Sequence, residues 1–366
     1  MRSSSGEHFI ALDHVRALAA CMVFVWHFLH AANGYPVPFN AAPAFFPLAL
    51  LDEGHTGVAL FMTLSGYLFA KLLDGRRIAY LPFLWNRALR LLPLLVLVLL
   101  GVGLAKALSG AWLAGYVYTL VRGLLFPTLP NGGWSITVEF HYYLILPVFL
   151  WLLRHSRWLP LCVVLAALAL RLALYRQTGE IQTLAYWTIV GRVDQFALGM
   201  LAFQFRGDLA GRHLPVLAGL AAFALFYWQF DAGGGFYHRP AYPSPSALWI
   251  VLPTIEGLAY AAGIAWYDAS FAPARGGVSR FVGRIGAYSY SIYLLHFFVV
   301  FRAAAFVHEH VMDISTFARA FPWALACFLL MVPVGHLSFR FVEAPFLKLR
   351  KPYYATPAAR AVRAPA

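Results

Sequence analysis

The sequence predicts an all-α fold: a polytopic transmembrane bundle of about ten spans, with one further segment, 112–127, that is partly inserted or re-entrant. Three observations carry this. Apolar residues make up 61% of the chain against 12% charged, with a mean hydropathy of +0.68. Hydrophobic runs of bilayer-crossing length recur from end to end, as membrane helices require. The basic residues of a chain with net charge +13 cluster between those runs, where they set orientation and meet anionic headgroups rather than nucleic acid. No stretch is polar enough for a separate soluble domain. Residues 1–345 therefore read as one membrane domain and 346–366 as a basic, flexible cytoplasmic tail.

The spans are expected near 12–32, 55–73, 91–108, 134–153, 158–175, 183–204, 213–230, 246–266, 285–306 and 319–341. The first carries Arg16 and His27. Eleven residues of helix advance about 1100°, so the two side chains share a face, with His27 roughly 16 Å further along the axis. Ionisable groups at that depth are expensive and usually line a pathway or a reaction site. His27 either bonds a polar neighbour in the bundle or acts as a general base, which an imidazole titrating near ~6.5 can do. Leu18-Ala19-Ala20-Cys21 looks like a lipoprotein cleavage box, yet Glu7, Asp13 and Arg16 precede it and no apolar signal core does. The first span thus reads as an uncleaved signal anchor.

In the second span, Gly57, Ser65 and Gly66 are small residues suited to close helix packing. The connector 76–90 follows, RRIAYLPFLWNRALR. Arg76 and Arg77 anchor it to the inner surface. Arg87 and Arg90, three apart beside Pro93, share a face and either anchor as well or clamp a phosphate. Segment 112–127 contains Gly115, Arg122 and Gly123 and ends in Pro127. The next span opens on Trp134-Ser135, with Glu139 one turn on and on the same face as Ser135. A carboxylate there needs a partner, for which His27 and Arg192 are candidates. Arg192 and Asp194 lie mid-span in 183–204 and form either a structural ion pair or a substrate contact. In 285–306, Ser289, Tyr293 and His296 recur at i, i+4 and i+7 as a polar stripe, read as helix–helix hydrogen bonding or as chemistry. Cys21, Cys162 and Cys327 stand singly, with no metal-ligand spacing, and read as reduced packing residues; no metal site is expected.

Loop charge supplies orientation. Residues 33–54 hold Asp52 and Glu53 but no Lys or Arg and belong outside, as does the acidic 307–316. The clusters Lys71 to Arg90, Arg154 with Arg157, Arg206 with Arg212, and Arg275 to Arg284 belong inside. So does the tail with Lys348, Arg350, Lys351, Arg360 and Arg363. Ten crossings satisfy all of them with both termini in the cytoplasm, in a plasma (inner) membrane. A full span at 112–127 would invert the second half.

Seven segments in this order resemble the acyltransferase-3 family of integral membrane acyltransferases. They are LDHVRALAACMVFVWHF, GVALFMTLSGYLF, FLWNRALRLLP, WSITVEFHYYLILP, RVDQFALGM, GAYSYSIYLLH and FRFVEAP. The resemblance implies transfer of an acyl group, acetyl foremost, from cytoplasmic acyl-CoA to a hydroxyl of an envelope or exported glycan or a lipid-linked saccharide. Acyl-CoA is then a donor substrate rather than a resident cofactor. It implies Arg16 and His27 as the essential pair, Arg87 and Arg90 on the donor side, and Glu139 in the WSxxxE element. On this reading His27 is the general base and Glu139 orients or charge-balances it. Ser135, Arg192, Ser289, Tyr293 and His296 are substrate or oxyanion candidates, and an acyl-histidine intermediate is a variant. The external loop 231–245, rich in glycine and proline, is a place to meet the acceptor. Many such relatives add a soluble hydrolase-like domain after the bundle; none is expected in cis here. The alternative class is a proton-coupled transporter or flippase using His27, Glu139 and Arg192 as a relay. That would call for an internal repeat, which the sequence does not display.

Overall fold

The computed structural model describes residues 9–31, 33–76, 78–111, 113–272 and 276–354. Its elements are helices α1 (Ile10–Leu29), α2 (Gly57–Leu73), α3 (Tyr80–Leu108), α4 (Leu113–Arg122), α5 (Gly133–His155), α6 (Pro160–Thr178) and α7 (Gln182–Trp187). They continue with α8 (Ile189–Gln204), α9 (His213–Ala232), α10 (Leu248–Ser270), α11 (Gly277–Ala287), α12 (Ser289–Leu295), α13 (Val300–Phe306) and α14 (Phe317–Ser338), joined by loops and single turns. Lipid offers no hydrogen bonds to a backbone, so apolar segments of this length satisfy their own N–H and C=O groups as helices.

Among the described residues, eight helices are long and apolar enough to cross a membrane. The number is nine if Ser289–Phe298 and Val300–Val311, bent by 56° to one another, form one span. The chain is a multi-pass, all-α membrane protein, and the count of ten is corrected downward. The segment that drops out is 183–204. It breaks at Thr188 into α7 and α8, and the 16-residue α8 is buried along nearly its whole length. Sheathed by α2, α6 and α10, it keeps polar residues that lipid would not tolerate.

Segment 112–127 does not cross either. α4 has ten residues, about 15 Å of helix against a hydrocarbon core of about 30 Å. The Tyr116 hydroxyl donates to the Leu99 carbonyl at 2.7 Å, and Thr137 donates to the Gly123 carbonyl at 2.6 Å. These bonds strap the segment to its neighbours. The connector 76–90 and the third span merge into the 29-residue α3, about 44 Å long, so its first turns extend past the hydrocarbon.

The tail is less free than expected. Asn86 donates to the Lys351 carbonyl at 2.7 Å and accepts from the Lys351 N–H at 2.9 Å, and Tyr353 is buried. Packed structure therefore continues beyond 345 to Tyr354, while Arg77, Trp112, Arg275, Arg360 and Arg363 lie outside the described residues.

Close packing at the centre depends on glycine. A Cβ on Gly66 would fall 2.1 Å from the Phe196 carbonyl oxygen, and one on Gly199 would fall 2.0 Å from that of Thr63. The backbones of α2 and α8 touch through these two positions, as small residues in membrane helices permit. α1 then packs against α2, α11 and α14 and reaches both functional cavities.

Candidate active site

Two cavities meet inside the bundle. The first, the arginine cavity, is walled by Arg16 from α1, Arg87 and Arg90 from α3, Glu139 from α5, and Arg350 from the chain after α14. The second, the histidine cavity, is walled by His27 and the rings of Trp134, Tyr186, Trp187, Phe297 and Phe301. Arg16 and His27 thus sit on different cavities, as their separation along one helix face requires. Among the described residues, Val58 and Tyr293 are the two that wall both.

The cations of the first cavity differ in what holds them. Arg16 pairs with Asp13 at 2.5 Å. Arg90 pairs with Glu343, which also accepts from the Ser291 hydroxyl. The guanidinium of Arg87 lies 5.4 Å from the Phe69 ring and 5.6 Å from that of Phe83, and its Nε has no hydrogen-bond partner among the described residues. Burial, together with the nearby Arg87 and Arg90 charges, pushes the Arg350 pKa down to about 10. Cations crowded to this degree are chemically suited to a multiply charged anion. Glu139 accepts from the Tyr143 hydroxyl and, at 3.5 Å, from Ser65, in the field of Arg87, Arg16 and Arg90.

The geometry fixes the tautomer of His27. Its Nδ1 lies 2.8 Å from the Val23 carbonyl, which can only accept, so Nδ1 carries the proton. By the same reasoning His296 is protonated at Nδ1, 2.7 Å from the Tyr293 carbonyl. The lone pair of its Nε2 then faces His27 Nδ1 at 3.3 Å. A neutral His27 is left with its basic lone pair on Nε2. Beside it, the Tyr293 phenol oxygen lies 2.9 Å from Ser135 Oγ and 3.2 Å from the Gly132 carbonyl.

Residues 9–337 match the family model described as "Acyltransferase domain", that of the acyltransferase-3 family. The chain belongs to this family.

The acyltransferase is 28% identical over 261 residues to "Putative membrane-bound transacylase BcsY" of Komagataeibacter xylinus, covering 64% of this chain and 60% of that protein. It is 25% identical over 390 residues to "Putative O-acetyltransferase SACOL0978" of Staphylococcus aureus (strain COL), covering 92% and 57%. With "Exopolysaccharide production protein ExoZ" of Rhizobium meliloti (strain 1021) it shares 27% identity over 267 residues, covering 68% and 77%. The chain thus spans about three fifths of the length of the first two relatives. No solved structure matches it.

The stripe Ser289, Tyr293, His296 follows α12 into the turn after it: Ser289 on the arginine cavity, Tyr293 on both, and His296, just past the helix, against His27. Two expected partnerships are corrected. Glu139 meets neither His27 nor Arg192, because it projects into the arginine cavity among cations that stabilise it. Arg192 does not pair with Asp194 either. It pairs with Glu256 at 3.4 Å, donates to the Tyr186 carbonyl at 2.8 Å and lies 4.4 Å from the Tyr186 ring, behind the cavity wall. Asp194 pairs with Arg171 at 2.7 Å. The relay of the transporter alternative is therefore split over three separate networks. Sequence reasoning missed Glu343, Arg350, Tyr143 and Val58. Glu343 had a usable signal, as a lone carboxylate in the final motif FRFVEAP; Arg350 looked like one more inside-facing charge.

Proposed function

We propose that this acyltransferase moves an acetyl group from acetyl-CoA, held in the arginine cavity, to a hydroxyl of an envelope or exported polysaccharide that reaches the histidine cavity. The observation that carries this reading is the meeting of two cavities of opposite chemistry, one built of cations and one of an imidazole among aromatic rings, at a shared wall. Arg16, Arg87, Arg90 and Arg350 hold the CoA phosphates on the cytoplasmic side, the side that the loop charges assign to them. The thin pantetheine arm brings the thioester to the wall between Val58 and Tyr293. The names of the relatives, an O-acetyltransferase and an exopolysaccharide production protein, support O-acetylation of a glycan.

His27 Nε2 takes the acceptor hydroxyl proton as the C–O bond forms. The imidazolium that results is stabilised through Nδ1–H by the Val23 carbonyl and the lone pair of His296. Ser135 alone can satisfy the Gly132 carbonyl, 2.9 Å away, which frees the Tyr293 hydroxyl to donate to the oxyanion. The C–S bond then breaks, and His27 returns the proton to the departing CoA thiolate. Glu139 is a positioning residue: it tempers the repulsion among the arginines and fixes Tyr143. Ser289 lines the donor side, and Arg192 supports the Tyr186 wall.

The test compares O-acetyl ester content of surface polysaccharide, by NMR, in cells carrying the wild-type chain, His27→Ala, or neither. Acetyl esters should appear with the wild-type chain and be lost with His27→Ala at equal membrane abundance. Undiminished acetylation with His27→Ala overturns the reading.

A further inference from the structure

The wall shared by the two cavities does more than divide them. We propose that the constriction between Val58 and Tyr293 is the acyl subsite, and that Val58 sets the length of the acyl chain the enzyme accepts. This rests on the transfer reading above and sharpens it. Val58 and Tyr293 are the two described residues that line both cavities, so a thioester placed between them is within reach of groups on either side.

Tyr293 is the fixed side. Its ring meets the edge of Phe61 at 6.1 Å and 77°. Gly132 has φ +72, and a Cβ there would fall 2.9 Å from the Tyr293 ring, so this wall cannot be thickened from behind. Val58 is the adjustable side. It is 4% exposed, and its β-branched side chain is stiff at χ1. The lining next to it on the arginine side, Phe61, Met62 and Ile136, is apolar, which suits a hydrocarbon acyl chain. Its two methyl groups occupy space that the two extra methylenes of a butyryl chain would need.

The experiment measures CoA release by the purified full chain in lipid nanodiscs, with acetyl-, propionyl- or butyryl-CoA and de-O-acetylated exopolysaccharide as acceptor. Wild type should prefer acetyl. Val58→Ala should raise the butyryl-to-acetyl ratio of kcat/KM by about tenfold or more, the scale of one or two methylenes in a tight pocket. Val58→Ile, a conservative change that keeps the branch, should lower the propionyl-to-acetyl ratio. Ratios unchanged in both variants, or equal loss with every donor, overturn the proposal alone, since wild-type turnover would still stand. Wild type indifferent to chain length also overturns it. No CoA release by folded wild type from any donor removes the transfer reading, and the proposal with it.

Discussion

At the scale of single residues, the arginines of the first cavity differ in how much of the fold depends on them. Arg90 neutralises Glu343, which is 1% exposed and also bonded by Ser291. Arg90→Ala leaves that carboxylate buried without its cation, and thermal unfolding in detergent should report a loss of about 3–5 kcal/mol. Arg87 makes no salt bridge among the described residues and shares the field around Glu139 with Arg16 and Arg90, so Arg87→Ala should cost less, about 0.5–2 kcal/mol for its cation–π contacts. Equal melting temperatures for the two variants would contradict this difference. The sequence made both arginines candidates because they are three apart on one face. It could not rank them, because the rank depends on a carboxylate some 250 positions away. His27 was legible for the opposite reason: a titratable ring inside an apolar span is conspicuous without any neighbour. Its tautomer was not, since that is set by Val23 and His296.

At the scale of elements, the glycines of the second span pack as expected, whereas Ser65, expected to pack with them, lines the arginine cavity and reaches Glu139, and the helix limits were less legible. Gly57 and Gly66 marked α2 as a packing helix, and its backbone does touch both α1 and α8. Gly199→Ala would drive a Cβ to 2.0 Å from the Thr63 carbonyl, forcing α2 and α8 apart at a cost of about 1–3 kcal/mol or more. Gly263→Ala, whose Cβ would meet Leu220 at an ordinary 3.5 Å, should be neutral or stabilising because alanine favours helix. Melting curves of the two variants check this contrast, and equal effects would show that the contact is not tight. Hydropathy misjudged 183–204 because it cannot tell a helix sheathed by protein from one bathed in lipid. It also split α3, since Arg87 and Arg90 lower the local average of a helix that continues through them. The docking of Lys351 on Asn86 joins the Asn86 side-chain amide to the Lys351 backbone, which any residue at 351 could offer, so it leaves no composition signal there.

At the scale of the whole molecule, the fold brings two cavities of different chemistry together along one helix. α1 sends Arg16 to one cavity and His27 to the other; α12 carries Ser289 and Tyr293 alongside, with His296 immediately after it. Both gradients were legible as helical spacing, and the existence of two cavities meeting at one wall was not, because it depends on how helices distant in sequence pack. The central claim is that donor binding and proton transfer are separated along α1. The most direct measurement takes the purified protein and scores acetyl-CoA affinity and acetyl transfer to de-O-acetylated polysaccharide in the same samples. His27→Ala should bind acetyl-CoA like wild type while transfer falls by about 10²–10⁴-fold. Arg87→Ala should lose affinity first and recover transfer at high donor concentration. Loss of acetyl-CoA binding in His27→Ala with wild-type affinity in Arg87→Ala would contradict the central claim.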